Sequence, residues 1–290
     1  MRYKSLFLIP ILVLLTVVTQ LKAQDSDEDS TGLPGNNFSL QGALELFKKA
    51  NSPEEFEKLI NTKDNNVNNL DLNEDGETDY IRVIGKMEKD VHAFVLQVPV
   101  SESENQDIAV IELEKTGKES AMLQIVGDED IYGEQAIVEP SDEGEEESEN
   151  GESKGADTEY IISKKAVVVV NVWLWPSVRF VYRPGYVVWV SPWRWHRYPG
   201  WWHPWRPLRW HVFHPLRLRY HNHFAVVRTH RVVHAHRIYA PARTTSVTVR
   251  KRHAASVTHF RTHRTTTIKT NKGTVKVKTN KRTTVVKKRR

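Results

Sequence analysis

The apolar positions of this 290-residue chain change their period several times. Leu6 to Thr19 is an apolar run behind Arg2 and Lys4, with the small residue Ala23 beyond it. That is the layout of a secretory signal over residues 1–23, and the run falls short of the roughly 20 residues of a membrane span. Residues 24–38 form a flexible acidic lead punctuated by Gly and Pro, with nothing to pack. Leu40, Ala43, Leu44 and Phe47 then recur at helical spacing behind Ser39, an N-cap residue. Ser52-Pro53-Glu54-Glu55 repeats the start signal as a capping box with Pro at the first helical position, ahead of Phe56, Leu59 and Ile60. Two short helices in a hairpin are predicted.

From Asp79 the period becomes that of strands, in 79–87, 91–100, 106–114 and 120–127, with polar breaks between them. The segment ending at Pro140 adds a short edge strand. The fold class predicted for 39–140 is α+β: two short helices on a small antiparallel meander with one buried face. Residues 141–159 read as a self-repelling acidic linker. The apolar run at Ala166–Trp175 suits a buried strand, after which Pro176, Pro184, Pro192, Pro199, Pro204 and Pro207 interrupt any ladder. Residues 160–210 are thus a Val/Trp/Arg/Pro-rich segment, and 211–290 a basic His/Thr/Arg/Lys tail. The basic region is expected to be largely non-globular and the tail disordered, with Thr274–Lys278 able to form a strand only on an acidic template.

Charge sharpens this division. All 36 Asp and Glu lie before residue 160, whereas 161–290 holds 29 Lys and Arg and no acid. Such a split points to an anionic partner: a polysaccharide, lipid headgroups or nucleic acid, held by counterion release. The acidic domain is itself a candidate partner, through masking within the chain or self-association between copies. The nine tryptophans fall between Val167 and Trp210. Arg179, Arg183, Arg194, Arg197, Arg206 and Arg209 offer bidentate contacts there, and Trp193, Trp195, Trp201, Trp202 and Trp205 offer flat stacking faces. Packing of these rings into a small core with cation–π support is the competing reading, and it is stronger before Val190 than after. No cysteine is present, which excludes disulfides and thiolate metal sites.

DLNEDGETDY carries the sharpest local chemistry. Asp71, Asn73 and Asp75 at alternate positions, then Gly76, the carbonyl of Glu77 and the carboxylate of Asp79, can wrap a hard, oxygen-seeking cation such as calcium. Arg82 stands where an EF-hand needs its Glu. The loop instead resembles the D-x-[DN]-x-D-G-x-x-D calcium loops of integrin-type propeller repeats, without implying a propeller. Twelve of the thirteen histidines follow residue 195, including the pairs His211/His214, His221/His223 and His234/His236. Such pairs can bind zinc, copper or nickel, making a metal-handling or stress protein the alternative reading. Against it stand the surrounding arginines and the lack of nearby carboxylates to orient the rings. No nucleophile elbow, phosphate loop or distinctive carboxylate pair is present, so a non-enzymatic protein is expected.

The mature chain as a whole resembles a group of uncharacterised secreted proteins of Bacteroidota with an acidic N-terminal domain and a Trp/Arg/Pro-rich basic C-terminal half. The likeness lies in L-P-G-x-N-x-x-L at Leu33–Leu40, in N-x-x-D-L-N-x-D-x-x-x-D-[YF]-I at Asn68–Ile81, and in the Val run followed by W-P and S-P-W-R-W. It implies export to the periplasm, the outer envelope surface or the medium, and brings no activity with it.

Overall fold

The computed structural model describes residues 31–141 and 169–263, together with the backbone of three strands between 265 and 288. The expected signal sequence and nearly all of the acidic linker lie outside the described residues. Helices α1 (Leu40–Lys49) and α2 (Pro53–Ile60) form where periodicity places them. Ser39 Oγ accepts from Gly42 N, and Ser52 Oγ accepts from Glu55 N. The Glu55 carboxylate reaches back to the N–H of Asn51 at 2.8 Å, one residue before the cap. Strands β1 (Arg82–Glu88), β2 (Val91–Pro99), β3 (Asn105–Gly117) and β4 (Ser120–Gly127) make an antiparallel meander. After the short helix α3 (Glu129–Tyr132), β5 (Ala136–Pro140) adds to it.

The sheet is α+β as predicted but larger than predicted, and its sixth strand comes from the basic half. Helix α4 (Pro176–Val181) and α5 (Trp210–Leu218) precede β6 (Phe224–Val227), which pairs antiparallel with β5. Helices α6 (Val233–Tyr239) and α7 (Val247–His263) follow. Strands β7 (Thr265–Thr270), β8 (Gly273–Asn280) and β9 (Thr283–Lys288) form a separate three-stranded sheet. The Thr274–Lys278 stretch therefore pairs with its own neighbours rather than with an acidic template.

Both faces of the six-stranded sheet are covered, not one. Phe94, Leu96, Ile111, Leu113 and Ile125 face a core built by α1, α2 and α4, with Phe47 and Phe56 ring to ring at 5.2 Å. His92 lies on this face against Tyr182 at 4.9 Å, and burial pushes its pKa down to about 4, leaving it neutral. On the opposite face Ala93, Val95, Val110, Val126 and Ile137 pack with Tyr239 of α6. Residues 169–263 are thus not a non-globular appendage. Their apolar side chains complete the first face through Val172, Trp175, Val178 and Val181 and seal the second through Tyr239.

A buried carboxylate joins the halves on the first face. Glu57 of α2 accepts from the Tyr80 hydroxyl at 2.8 Å and the Val83 N–H at 2.8 Å. It also accepts from the Ser191 hydroxyl at 2.8 Å and the Trp189 indole N–H at 3.2 Å, both in the basic half. Burial pushes its carboxyl above the usual range, against the pull of these four donors. Glu57→Ala leaves the four donors without their acceptor and is expected to cost about 2–4 kcal/mol in urea unfolding. A change below about 0.5 kcal/mol would remove Glu57 from this role.

Candidate functional site

The Trp/Arg segment is laid over the edge of the acidic domain. Val172 N donates to Ala121 O, and Asn171 Oδ1 accepts from Ala121 N, each at 3.1 Å. Farther on, Gly85 N donates to Trp189 O at 2.8 Å and Ser191 N to Val83 O at 3.0 Å, along the outer edge of β1. A Cβ at Gly85 would stand 2.7 Å from Trp189 O, so glycine permits this approach. Arg82 donates to the carbonyl of Trp193 at 3.2 Å. Arg194 and Arg197 then exchange backbone hydrogen bonds of 3.1 and 2.8 Å, closing a turn with His196 at φ 52°.

The rings divide differently from the expectation of one exposed stacking surface. Trp202 is buried and stands edge-on to Tyr80 at 5.1 Å, beside Tyr198 at 4.6 Å. Trp193, Trp195 and Trp205 are half-buried, and Trp205 O accepts from Thr78 N at 2.8 Å. Trp201 is 44% exposed, with the Lys58 ammonium 5.7 Å from its ring. Core packing thus takes Trp202 out of the proposed binding set, because Tyr80 supplies an apolar wall that its own segment lacks. The six arginines all remain exposed. Among the described residues Arg179, Arg183, Arg194, Arg197 and Arg206 have no carboxylate partner, while Arg183 lies over the Phe180 ring at 3.7 Å.

The turn rests against the DLNEDGETDY loop. A cleft of about 250 Å³ between them is lined by Asn73, Asp75, Glu77, Trp195, Tyr198 and Trp202. Gly76 sits at φ 84°, the sharp bend such a calcium loop needs at its sixth position. The loop oxygens are engaged by its own backbone. Asp71 accepts from Asp75 N at 3.0 Å and Gly76 N at 2.9 Å, and Asp75 accepts from Glu77 N at 2.8 Å. Asp79 is turned inward and accepts from Leu72 N at 2.6 Å. Burial, then the charges of Asp71 and Asp75, push its pKa up to about 8. The donor types and the glycine bend fit calcium, while the three carboxylates do not converge on one point. Among the described residues, Glu112, His230 and His236 are the side chains that do so within 4.8 Å.

These last residues belong to a second contact that sequence reasoning missed. Val110, Glu112 and Glu114 of β3 point to the second face, opposite Val95, Ala93 and Val91. There Glu112 meets His230 Nε2 and, at 2.8 Å, His236 Nδ1. Glu114 meets His234 Nδ1 at 3.0 Å and accepts from Ala235 N at 2.8 Å. Gln124 Oε1 accepts from Arg231 N at 2.7 Å, and Arg231 is ion-paired with Glu139 at 3.3 Å. Next along the chain, Asp107 accepts from Thr244 N at 2.8 Å, and Arg243 holds Asp128 and Asp130. The carboxylates expected to be absent around the histidines are supplied by the acidic domain. The signal in the sequence was the pair Glu112 and Glu114, set inside an apolar strand.

No family model, characterised protein or solved structure matches this chain. Among the described residues no helix is long and apolar enough to cross a membrane.

Asp128 is buried, which pushes its pKa up, and Arg243 pulls it back toward ionisation. Arg243→Met removes that pull, so Asp128 must be buried charged or bind a proton. The expected loss is roughly 3 kcal/mol at pH 7. It should shrink as pH falls and Asp128 becomes protonated, since the folded state then binds the proton more tightly than the unfolded chain. A pH-independent loss in denaturant melts would contradict this assignment.

Proposed function

We propose that this chain is an exported, non-enzymatic protein that binds an anionic polymer, foremost an acidic or sulfated polysaccharide, through Arg179 of α4, Arg183, the 194–197 turn and Arg206. The observation that carries the reading is a difference between two sets of cations. Arg231, Arg243, Arg250 and Arg252 have carboxylate partners in the acidic domain. Arg179, Arg183, Arg194, Arg197 and Arg206 are exposed and have none among the described residues. Intramolecular masking has therefore used up one part of the basic half and left another available to bind. Exposed guanidinium forks match the planar oxyanions of carboxylate and sulfate groups. Trp195 and Tyr198, beside the cleft, offer faces to a sugar ring.

The acidic loop beneath this turn would repel such a polymer. A calcium ion that drew Asp71, Asn73, Asp75, the Glu77 carbonyl and Asp79 together from their present spread would remove that repulsion and pin the turn to the loop. The likeness to secreted proteins of Bacteroidota supports export, and an exported chain meets polysaccharides and lipid headgroups before nucleic acid. Self-association is the less favoured outcome, because Asp107, Glu112, Glu114 and Asp128 already have partners within the chain.

On immobilised heparin, retention is expected to fall steeply with salt. The double substitution Arg194→Gln/Arg197→Gln should elute at lower salt than the wild type. Retention insensitive to salt, or unchanged in that variant, contradicts the reading. Tighter binding to duplex DNA or anionic vesicles than to heparin reassigns the polymer class. For the loop, addition of a calcium chelator is expected to lower the melting temperature of the wild type and to leave that of Asp75→Asn unchanged. An unchanged wild-type melting temperature removes calcium from the account.

A further inference from the structure

The second face of the sheet carries a charge imbalance that its hydrogen bonds leave open. Glu139, Glu112 and Glu114 bring three carboxylates to the layer containing α6, with side chains 6, 0 and 11% exposed. Among the described residues, Arg231 is the permanent cation paired with them, through Glu139. Their other ionic partners are His230, His234 and His236, which are charged only when protonated. With the rings neutral, three carboxylates face one guanidinium, and uncompensated charge in such a place is costly. One divalent cation would balance the layer.

The geometry supplies a place for it. His230 Nε2 and His236 Nδ1 meet the two different oxygens of Glu112, and the rings stand edge to face with centroids 4.4 Å apart. One donor atom from each of the three side chains lies within 4.8 Å of the other two. Two imidazole nitrogens and one carboxylate are a known donor set for zinc sites that keep a fourth position for water. The two rings are 21 and 29% exposed, so water can reach that position. Imidazole donors favour zinc, copper and nickel over calcium and magnesium, which take oxygen ligands.

We propose that Glu112, His230 and His236 form a Zn²⁺ site that fastens the basic half to β3. On binding, His230 Nε2 and His236 Nδ1 each turn a lone pair to the ion. Each neutral ring keeps its one proton on the other nitrogen, His230 at Nδ1 and His236 at Nε2, and any second ring proton leaves to solvent. Both rings must be neutral to bind, so affinity falls as the pH is lowered and binding releases protons. The site lies on the opposite face of the sheet from the α1, α2 and α4 layer, and it does not depend on the polymer-binding reading.

The test is calorimetric titration of Zn²⁺ into the full chain after chelator treatment and dialysis at pH 7.5. One ion per chain is expected. Glu112→Gln and His236→Gln should each weaken binding by at least about tenfold. The exposed pair His196→Gln/His203→Gln, and Asp75→Asn in the acidic loop, should leave it unchanged. Co²⁺ in place of Zn²⁺ should give visible ligand-field absorption in the wild type and lose it in His236→Gln. Should both ligand variants fail to fold, the wild type alone decides. Zn²⁺ is then expected to raise its melting temperature at pH 7.5 and to do so far less at pH 5.5. No uptake by the wild type, or equal uptake by the folded ligand variants, overturns the proposal.

Discussion

A carboxylate taken out of water must be met by donors or give up its charge, and the sheet of this protein buries several. Glu57, Asp107, Glu112 and Asp128 lie on or beside the strands with almost no exposed surface. Some of their donors are local, as with Tyr80 and Val83 on Glu57. Others come from far along the chain: Ser191 on Glu57, Thr244 on Asp107, His236 on Glu112 and Arg243 on Asp128. The acidic domain is therefore incomplete without the basic half. Apolar burial beneath α6 supplies a non-directional driving force, while the carboxylates fix which residue sits where.

This interlock changes what the charge asymmetry means. Read as net charge, the chain is two opposed polymers; in the fold, the middle of the basic half is spent on the acidic sheet. Exposed arginines without a carboxylate partner among the described residues include Arg179 on α4, Arg183 just after it, and Arg194 and Arg197 on the turn over the DLNEDGETDY loop. On the proposed reading, polymer binding falls on a surface held in place by Gly85, Trp202 and Tyr80, rather than along a loose tail. A carboxylate substitution on the sheet should thus affect the anchorage of the basic half before it affects the exposed turn.

The helices and strands of the first domain were legible because each depends on local chemistry. Ser39, Ser52 and Pro53 start helices by capping and fixed φ, and alternation from Asp79 reports the pleat. The second buried face was not legible, although the near-continuous apolar runs of β2 and β3 are what a sheet covered on both sides requires. What covers it begins about a hundred residues later in a segment rich in His and Arg, whose apolar content alone would not fold. Glu112 and Glu114 could have been recognised as inward-facing acids, since β-strand period places them with Val110. Their histidine partners could not, because pairing across more than a hundred residues leaves no spacing to read. The tryptophans were legible as a cluster divided near Val190, but Trp202 fell on the wrong side of that division, since the wall that buries it is Tyr80 of the other half.

If the basic half completes the sheet, the backbone of α6 and the Thr244–Ser246 stretch must be as closed to solvent as the strands they cover. Hydrogen–deuterium exchange of the full chain measures this directly. Amides of Ala235 and His236 and those of Thr244 and Ser246 are predicted to exchange slowly, and to lose protection together with β3 as urea is raised. Rapid exchange across 229–250 while β3 stays protected would contradict the account.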